Sequence, residues 1–364
     1  MRRTRFFYGG WLLIFLPQIL FAQSWRIEKQ AGLGRDLKND LIFPEIKQGS
    51  VFLNLSLTKN MSKRGGWQEE FNFPELHLNH IVMTLGNLDV FGTGYAFAPS
   101  LRQWFDKKHH WFNEYGFGGA WVTKPHGTFS NPADNIVGSH LNMYVLLRIG
   151  HQWYGQQHSF SLALSYLHFS NARVKVPNIG LNIPTINFSV SNSTESKENR
   201  QAGKHLPAPQ KLHFGFHAGI GLGSRILDIG PVYENYVGTA YIGWAFRRKS
   251  ALYLGADYVF NMSVYNYQRT HEIEKGETYA WSATRIAAFV GFEYFYEHFS
   301  LHAQGGPYLH NTTFSEGDYL VKVGFQYYYF NTYHHRGPNP FIGTFVQTYF
   351  GDAEFGELAA GILF

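Results

Sequence analysis

Apolar and polar side chains alternate with a period of two along most of this chain, the pattern of strands that keep one face in hydrocarbon and the other in a polar medium. Val51, Leu53, Leu55 and Leu57 oppose Phe52, Asn54, Ser56 and Thr58. Leu141, Met143, Val145, Leu147 and Ile149 oppose Asn142, Tyr144, Leu146, Arg148 and Gly150. In the clearest case Leu212, Phe214, Phe216, Ala218, Ile220 and Leu222 alternate with His213, Gly215, His217, Gly219, Gly221 and Gly223. One such strand fits a soluble sheet equally well. About fifteen of them, many near ten residues long and separated by turn residues, fit a membrane barrel. Tyr, Trp and Phe gather near segment ends, as at Trp104-Phe105, Trp111-Phe112 and Tyr327-Tyr328-Tyr329, where a headgroup belt places aromatic rings. Past the N-terminal segment no apolar run reaches the length of a spanning helix, which excludes a helical membrane bundle.

The pattern therefore predicts an all-β protein, an antiparallel transmembrane β-barrel of the bacterial outer membrane with about 14 to 16 strands in one barrel. Residues 1–22 carry Arg2, Arg3 and Arg5, then the apolar run from Trp11 to Phe21 and a small-residue end, and read as a secretory signal peptide that is removed. Residues 23–48 alternate weakly and read as a periplasmic lead-in. Residues 49–192 form a first strand-bearing half and residues 212–364 a second. Between them the polar stretch 193–211, with Glu195, Lys197, Arg200, Pro207 and Pro209, reads as a linker or loop. The length of that stretch supports an alternative architecture, an eight-stranded barrel followed by a second barrel. Leu358, Ala360, Ile362 and Phe364 form an apolar row running into the carboxyl terminus, similar to the strand signal that outer-membrane proteins present to their assembly machinery.

Composition narrows the function classes. Charged residues make up only 16% of the chain and aromatic residues 18%, a balance suited to a sheet with aromatic girdles. There is no Cys, so no disulfide framework holds the fold. Loss of the three N-terminal arginines takes the formal charge from +5 to +2, and no basic stripe remains to support nucleic-acid binding. The 18 His residues show no metal-ligand spacing, His109-His110 and His334-His335 being adjacent pairs in expected loops. Neither a metal nor a soluble cofactor is expected.

Chemistry concentrates on one strand and the turn after it. Phe160, Leu162, Leu164, Tyr166, His168 and Ser170 lie on one face, with Ser159, Ser161, Ala163, Ser165, Leu167 and Phe169 on the other. The apolar face thus ends in an imidazole and a hydroxyl. Residues i and i+2 of a strand project to the same side, close enough for a hydrogen bond after a modest kink. A serine hydroxyl is a weak nucleophile until a base takes its proton, and an imidazole does so near neutral pH. If the apolar face meets lipid, the pair acts only on a membrane-borne substrate.

The residues His168-Phe169-Ser170-Asn171-Ala172, followed by Pro177-Asn178-Ile179-Gly180, resemble the PagL-type lipid A 3-O-deacylases of the outer membrane. Phe97-Ala98-Pro99 and the run Asn113-Glu114-Tyr115-Gly116-Phe117-Gly118 extend the likeness, which covers roughly residues 85 to 192. It implies a serine esterase that removes the ester-linked 3-hydroxyacyl chain of lipid A, the lipid part of lipopolysaccharide, with Ser170 as nucleophile and His168 as base. The family's orienting Glu falls by spacing at position 182, where this chain has Asn182. An Asn fixes a tautomer without stabilising the imidazolium as a carboxylate does; Glu114 is a candidate replacement acid. The resemblance assigns the oxyanion role to Asn171 and the backbone amide of Arg173. Arg173 and Lys175 are candidates to hold lipid A phosphates, whereas Asn178 and Gly180 read as turn-formers. Two rival readings are a passive channel with a decayed site and an esterase acting on phospholipid.

Overall fold

The structure is a computed structural model and describes residues 25–38, 43–62, 66–192, 211–223, 231–273, 278–311, 317–349 and 352–364. The expected signal peptide and nearly all of the expected linker lie outside the described residues. Eight strands form the first unit: β1 (Trp25–Gly34), β2 (Ser50–Asn60), β3 (Glu75–Thr84), β4 (Thr93–Trp104), β5 (Trp111–Val122), β6 (Leu141–Tyr154), β7 (His158–Ser170) and β8 (Leu181–Asn192). Another eight form the second: β9 (Leu212–Gly223), β10 (Tyr233–Arg247), β11 (Ser250–Asn261), β12 (Thr284–Tyr296), β13 (Phe299–His310), β14 (Tyr319–Tyr328), β15 (Asn339–Tyr349) and β16 (Asp352–Leu363). Three helices occupy connections, α1 (Trp67–Glu70), α2 (Met262–His271) and α3 (Tyr279–Ser282).

The strand total agrees with the sequence, and of the two closures the alternative is the one observed. β1 pairs with β8, Ala31 opposite Phe188, and β9 pairs with β16, Gly219 opposite Ala359, so each set of eight closes on itself. A barrel that has satisfied both its edges offers no ladder for the next strand, and the chain must begin a second sheet. The single larger barrel is thereby replaced by two small ones. The periplasmic lead-in is corrected as well, because Trp25–Gly34 is a wall strand of the first barrel. Its inward residues are Glu28 and Gln30, and Lys29 and Ala31 interrupt the outward hydrocarbon of Ile27 and Leu33, which blurs the alternation.

The two faces of each wall differ sharply. On β7, Leu162 and Leu164 are 49% and 59% exposed, whereas Ser161 and Ala163 between them are 2% and 3% exposed. β9 repeats this with Phe214 and Phe216 outward and His213 and His217 inward. A continuous band of outward Leu, Ile, Phe and Val suits lipid contact, and the inward polar groups must satisfy one another. In the first barrel the Arg102 guanidinium donates to Glu28 at 2.9 and 3.0 Å and to Glu114 at 2.9 and 3.1 Å, and Arg148 donates to Glu114 at 3.0 Å and to Gln30 at 2.7 Å. In the second, the Lys322 ammonium lies 2.8 Å from Asp257 and 2.9 Å from Glu357. Eight strands leave an interior that side chains fill, and these ion-pair networks fill it.

The connections have an orientation. At the end of the first barrel reached by β7 they are residues 35–49, 85–92, 123–140 and 171–180; at the other they are 61–74, 105–110 and 155–157. Outer-membrane barrels carry their longer loops outside the cell and their shorter turns in the periplasm. The end of β7 accordingly lies at the external rim. The barrels touch through outward side chains: Gln103 donates to the Tyr296 hydroxyl at 3.3 Å, the Tyr115 and Tyr296 hydroxyls are hydrogen bonded, Phe117 and Phe325 lie 5.2 Å apart between ring centres, and Arg248 pairs with Glu70 at 3.1 Å.

Candidate active site

Strand parity brings the expected groups to one place on the outer wall. His168 and Ser170 both project outward from the last residues of β7, and the antiparallel register sets Asn182 of β8 directly opposite His168. The His168 Nδ1 is 2.7 Å from Asn182 Oδ1. Tyr166, two residues before His168 on the same face, donates its hydroxyl to that same oxygen at 2.7 Å. A carbonyl oxygen only accepts, so Nδ1 carries the imidazole hydrogen and Nε2 keeps its lone pair. That is the tautomer a general base needs.

Ser170 is 4% exposed and its hydroxyl is held by the following loop. Asn178 Nδ2 donates to Ser170 Oγ at 2.9 Å, and the Ala172 amide donates at 3.2 Å. Asn178 Oδ1 in turn accepts the Asn171 amide at 2.8 Å. Ala172 and Arg173 both have left-handed backbones, φ 53° and 62°, and these two residues fold the chain back so that the Ala172 amide aims at the serine oxygen. Among the described residues no hydrogen bond joins His168 to Ser170. Both line one cavity, and bonds of this kind commonly tighten only when substrate arrives.

The Asn171 side chain spends its amide hydrogens on the loop, donating to Ser139 Oγ at 2.9 Å and to the Lys175 carbonyl at 2.8 Å. The side-chain amide that reaches the serine oxygen is Asn178, read from sequence as a turn-former, and the Ala172 backbone amide reaches it as well. The motif contained the signal, since Asn178 belongs to the Pro-Asn-x-Gly segment, but spacing alone does not say which asparagine faces the serine. Glu114 is no replacement acid for His168: it is 1% exposed in the lumen, bound to Arg102, Arg148 and Ser100. Arg173 is half-buried and Lys175 exposed, both on the loop beside the site.

Neighbouring segments hold this loop in place. Gly180 has φ 80°, and a Cβ there would lie 2.8 Å from His168 Cε1, so the backbone's close approach needs glycine. The Ile179 amide donates to the Ile136 carbonyl at 3.1 Å, and Val137 bridges to Asn178. The Asp134 carboxylate organises that supporting loop by accepting the amides of Ile136 at 2.8 Å and Val137 at 3.0 Å. Burial pushes its carboxyl up to about 6, against the pull of those two amides in the other direction.

The site opens into a cavity of about 500 Å³ between the two barrels. Met143, Val145 and Leu147 of β6 line one side and Phe292, Val323 and Val346 of the second barrel the other, with His168, Ser170 and Asn178 along its margin.

Comparison with known proteins assigns both halves. Residues 52–191 match the family model described as lipid A 3-O-deacylase (PagL), and residues 210–364 match the model described as acyloxyacyl hydrolase, C-terminal domain. Among solved structures, the outer membrane enzyme PagL aligns at 21% identity over 44% of this chain and 97% of its own, with a TM-score of 0.32. Omp33 of Acinetobacter baumannii aligns at 8% identity over 94% of this chain and 98% of its own, with a TM-score of 0.16. No curated protein matches. The fold and the family matches define an ester hydrolase of the bacterial outer membrane. More particularly, the first barrel matches the lipid A 3-O-deacylase (PagL) family and the second matches the acyloxyacyl hydrolase C-terminal domain.

Proposed function

We propose that this protein is a serine esterase that hydrolyses the ester holding a 3-hydroxyacyl chain on lipid A. The observation that carries the proposal is the alignment Tyr166, His168 and Asn182 around one acceptor oxygen, which leaves His168 Nε2 free on the same outward face as Ser170. In the first step Ser170 Oγ attacks the ester carbonyl carbon while His168 Nε2 takes its proton. The carbonyl oxygen becomes an oxyanion, met by the N–H groups of Asn178 Nδ2 and Ala172 that already converge on the serine. Collapse breaks the bond to the sugar oxygen, which leaves with the proton from His168. Water, deprotonated by the same imidazole, then releases the 3-hydroxy fatty acid and restores the serine. Arg173 and Lys175 supply positive charge beside the site for the phosphates of the lipid A disaccharide.

Position supports a lipid substrate. The hydroxyl and imidazole project away from the lumen at the external rim, where acyl chains and sugar headgroups of the outer leaflet meet. Mass spectrometry of lipid A from cells making the parent protein should show loss of one ester-linked 3-hydroxyacyl chain, and Ser170→Ala should abolish it. Undiminished deacylation by the variant rejects the proposal. Loss of a phospholipid acyl chain instead, with lipid A intact, changes the substrate class.

A further inference from the structure

We infer that the crevice between the two barrels is the binding site for the hydrocarbon of the acyl chain being released, with the second barrel forming its outer wall. This deepens the esterase reading above and rests on it. The crevice is continuous with the reacting groups, since His168, Ser170 and Asn178 line the same cavity as Val323 and Val346 of the second barrel. Its volume, about 500 Å³, falls among ligand pockets, which run from roughly 300 to 1,000 Å³ and are mostly apolar with a few convergent polar groups. The convergent polar groups here are the candidate catalytic ones.

The crevice also has a direction and a floor. Met143, Val145 and Leu147 pair across the sheet with Ser170, His168 and Tyr166, so the β6 wall descends from the serine toward the periplasmic side. Tyr115 pairs with Leu147. At that level the Tyr115 hydroxyl meets the Tyr296 hydroxyl, Gln103 donates to the latter, and Phe71 stacks on the Tyr296 ring at 4.4 Å. This polar and aromatic knot closes the crevice four residues below Ser170, about 13 Å at the rise of a strand. Higher up, Phe117 and Phe325 narrow it from opposite barrels at 5.2 Å. An ester seated at Ser170 would direct its chain down a slot of fixed depth, and the second barrel would set which chain lengths fit.

Two kinds of variant test this with the full-length protein in native outer membranes. Leu301→Trp and Tyr294→Trp add bulk from the second barrel at the level of the Phe117–Phe325 contact, below the serine. Each should cut hydrolysis of a long-chain 3-hydroxyacyl glucosamine ester roughly 10- to 200-fold while leaving a short-chain ester within about twofold. Phe325→Ala should shift preference toward longer chains. Unchanged chain-length profiles in all three overturn the inference. A binding measurement separates this result from failure of the esterase reading. Ser170→Ala protein is photolysed with a long-chain 3-hydroxyacyl glucosamine ester bearing a diazirine at the chain end. Adducts on β12, β13, β14 or β15 peptides support the crevice; adducts confined to the first barrel, or none, overturn it. If Ser170→Ala still hydrolyses the ester, the esterase reading fails, and the adducts alone decide the crevice.

Discussion

His168 and Asn182 face each other across the β7–β8 ladder with Nδ1 2.7 Å from Oδ1, so the group beside the imidazole is an amide where the resemblance implies a carboxylate. In the proposed mechanism the amide selects the tautomer but leaves the imidazolium formed during attack without a countercharge. Asn182→Asp or Asn182→Glu should therefore raise kcat, with KM unchanged, because the gain exists only in the transition state. Asn182→Leu should lower kcat by about 10⁴, the scale seen when an imidazole is held in the wrong tautomer. Steady-state hydrolysis of a 3-hydroxyacyl ester measures both.

Asn178 donates through Nδ2 to Ser170 and accepts through Oδ1 from the Asn171 backbone amide, while the Asn171 side chain ties the loop to Ser139 and Lys175; two substitutions separate the donor from the loop's support. Asn178→Asp keeps the acceptor and removes the donor. It should lower kcat by roughly 10² to 10³ with the loop intact, the usual cost of losing one oxyanion donor. Asn171→Ala should instead loosen the loop, seen as faster amide exchange at residues 172–176. Equal kcat for parent and Asn178→Asp removes Asn178 from the oxyanion role.

Asp134 makes the supporting loop sensitive to pH. Its carboxyl is raised from 3.8 to about 6 in the folded protein, so the charged form is the disfavoured one. Above pH 6 the folded state bears the full penalty. As pH falls through 6 toward 3.8 the folded state takes up a proton before the unfolded one, and stability from this group rises by about 3 kcal/mol. The loop at residues 134–137 should thus exchange its amides more slowly at pH 5 than at pH 7.5, once intrinsic rates are corrected. Asp134→Asn should flatten that dependence.

Arg102 sits 0% exposed between Glu28 and Glu114. Arg102→Met leaves buried carboxylates without their partner and should destabilise the first barrel by about 3 to 5 kcal/mol. The fall should appear as a lower urea midpoint or loss of the folded form in heat-modifiable gel mobility. Because both lumens are packed with side chains, planar bilayers containing the parent protein should show no steady conductance.

The faces of the strands were legible in the sequence because a period of two survives wherever hydrocarbon and polar positions are kept apart. Leu162, Leu164 and His168 could be placed on the outer wall from parity alone, while Asn182 was picked out by its spacing in the motif and set opposite His168 by the register. Closure was not legible, since the same alternation serves eight strands or sixteen; only the pairing of Ala31 with Phe188 and of Gly219 with Ala359 distinguishes them. β1 was hidden by Lys29 on its outer face. The choice between Asn171 and Asn178 depended on two left-handed residues, Ala172 and Arg173, neither of them a residue type that announces such a turn. Glu114 was misplaced for a simpler reason: its partners Arg102 and Arg148 lie on other strands, and register is needed to bring them together.

The outward projection of Ser170 has a kinetic consequence. Substrate reaches a hydroxyl on the outside of a barrel by sliding sideways within the leaflet, so encounter is two-dimensional and its driving quantity is surface mole fraction rather than bulk molarity. Diluting lipid A with inert detergent at constant total amount should slow the reaction, and a water-soluble ester should meet the site only as fast as it partitions into the bilayer.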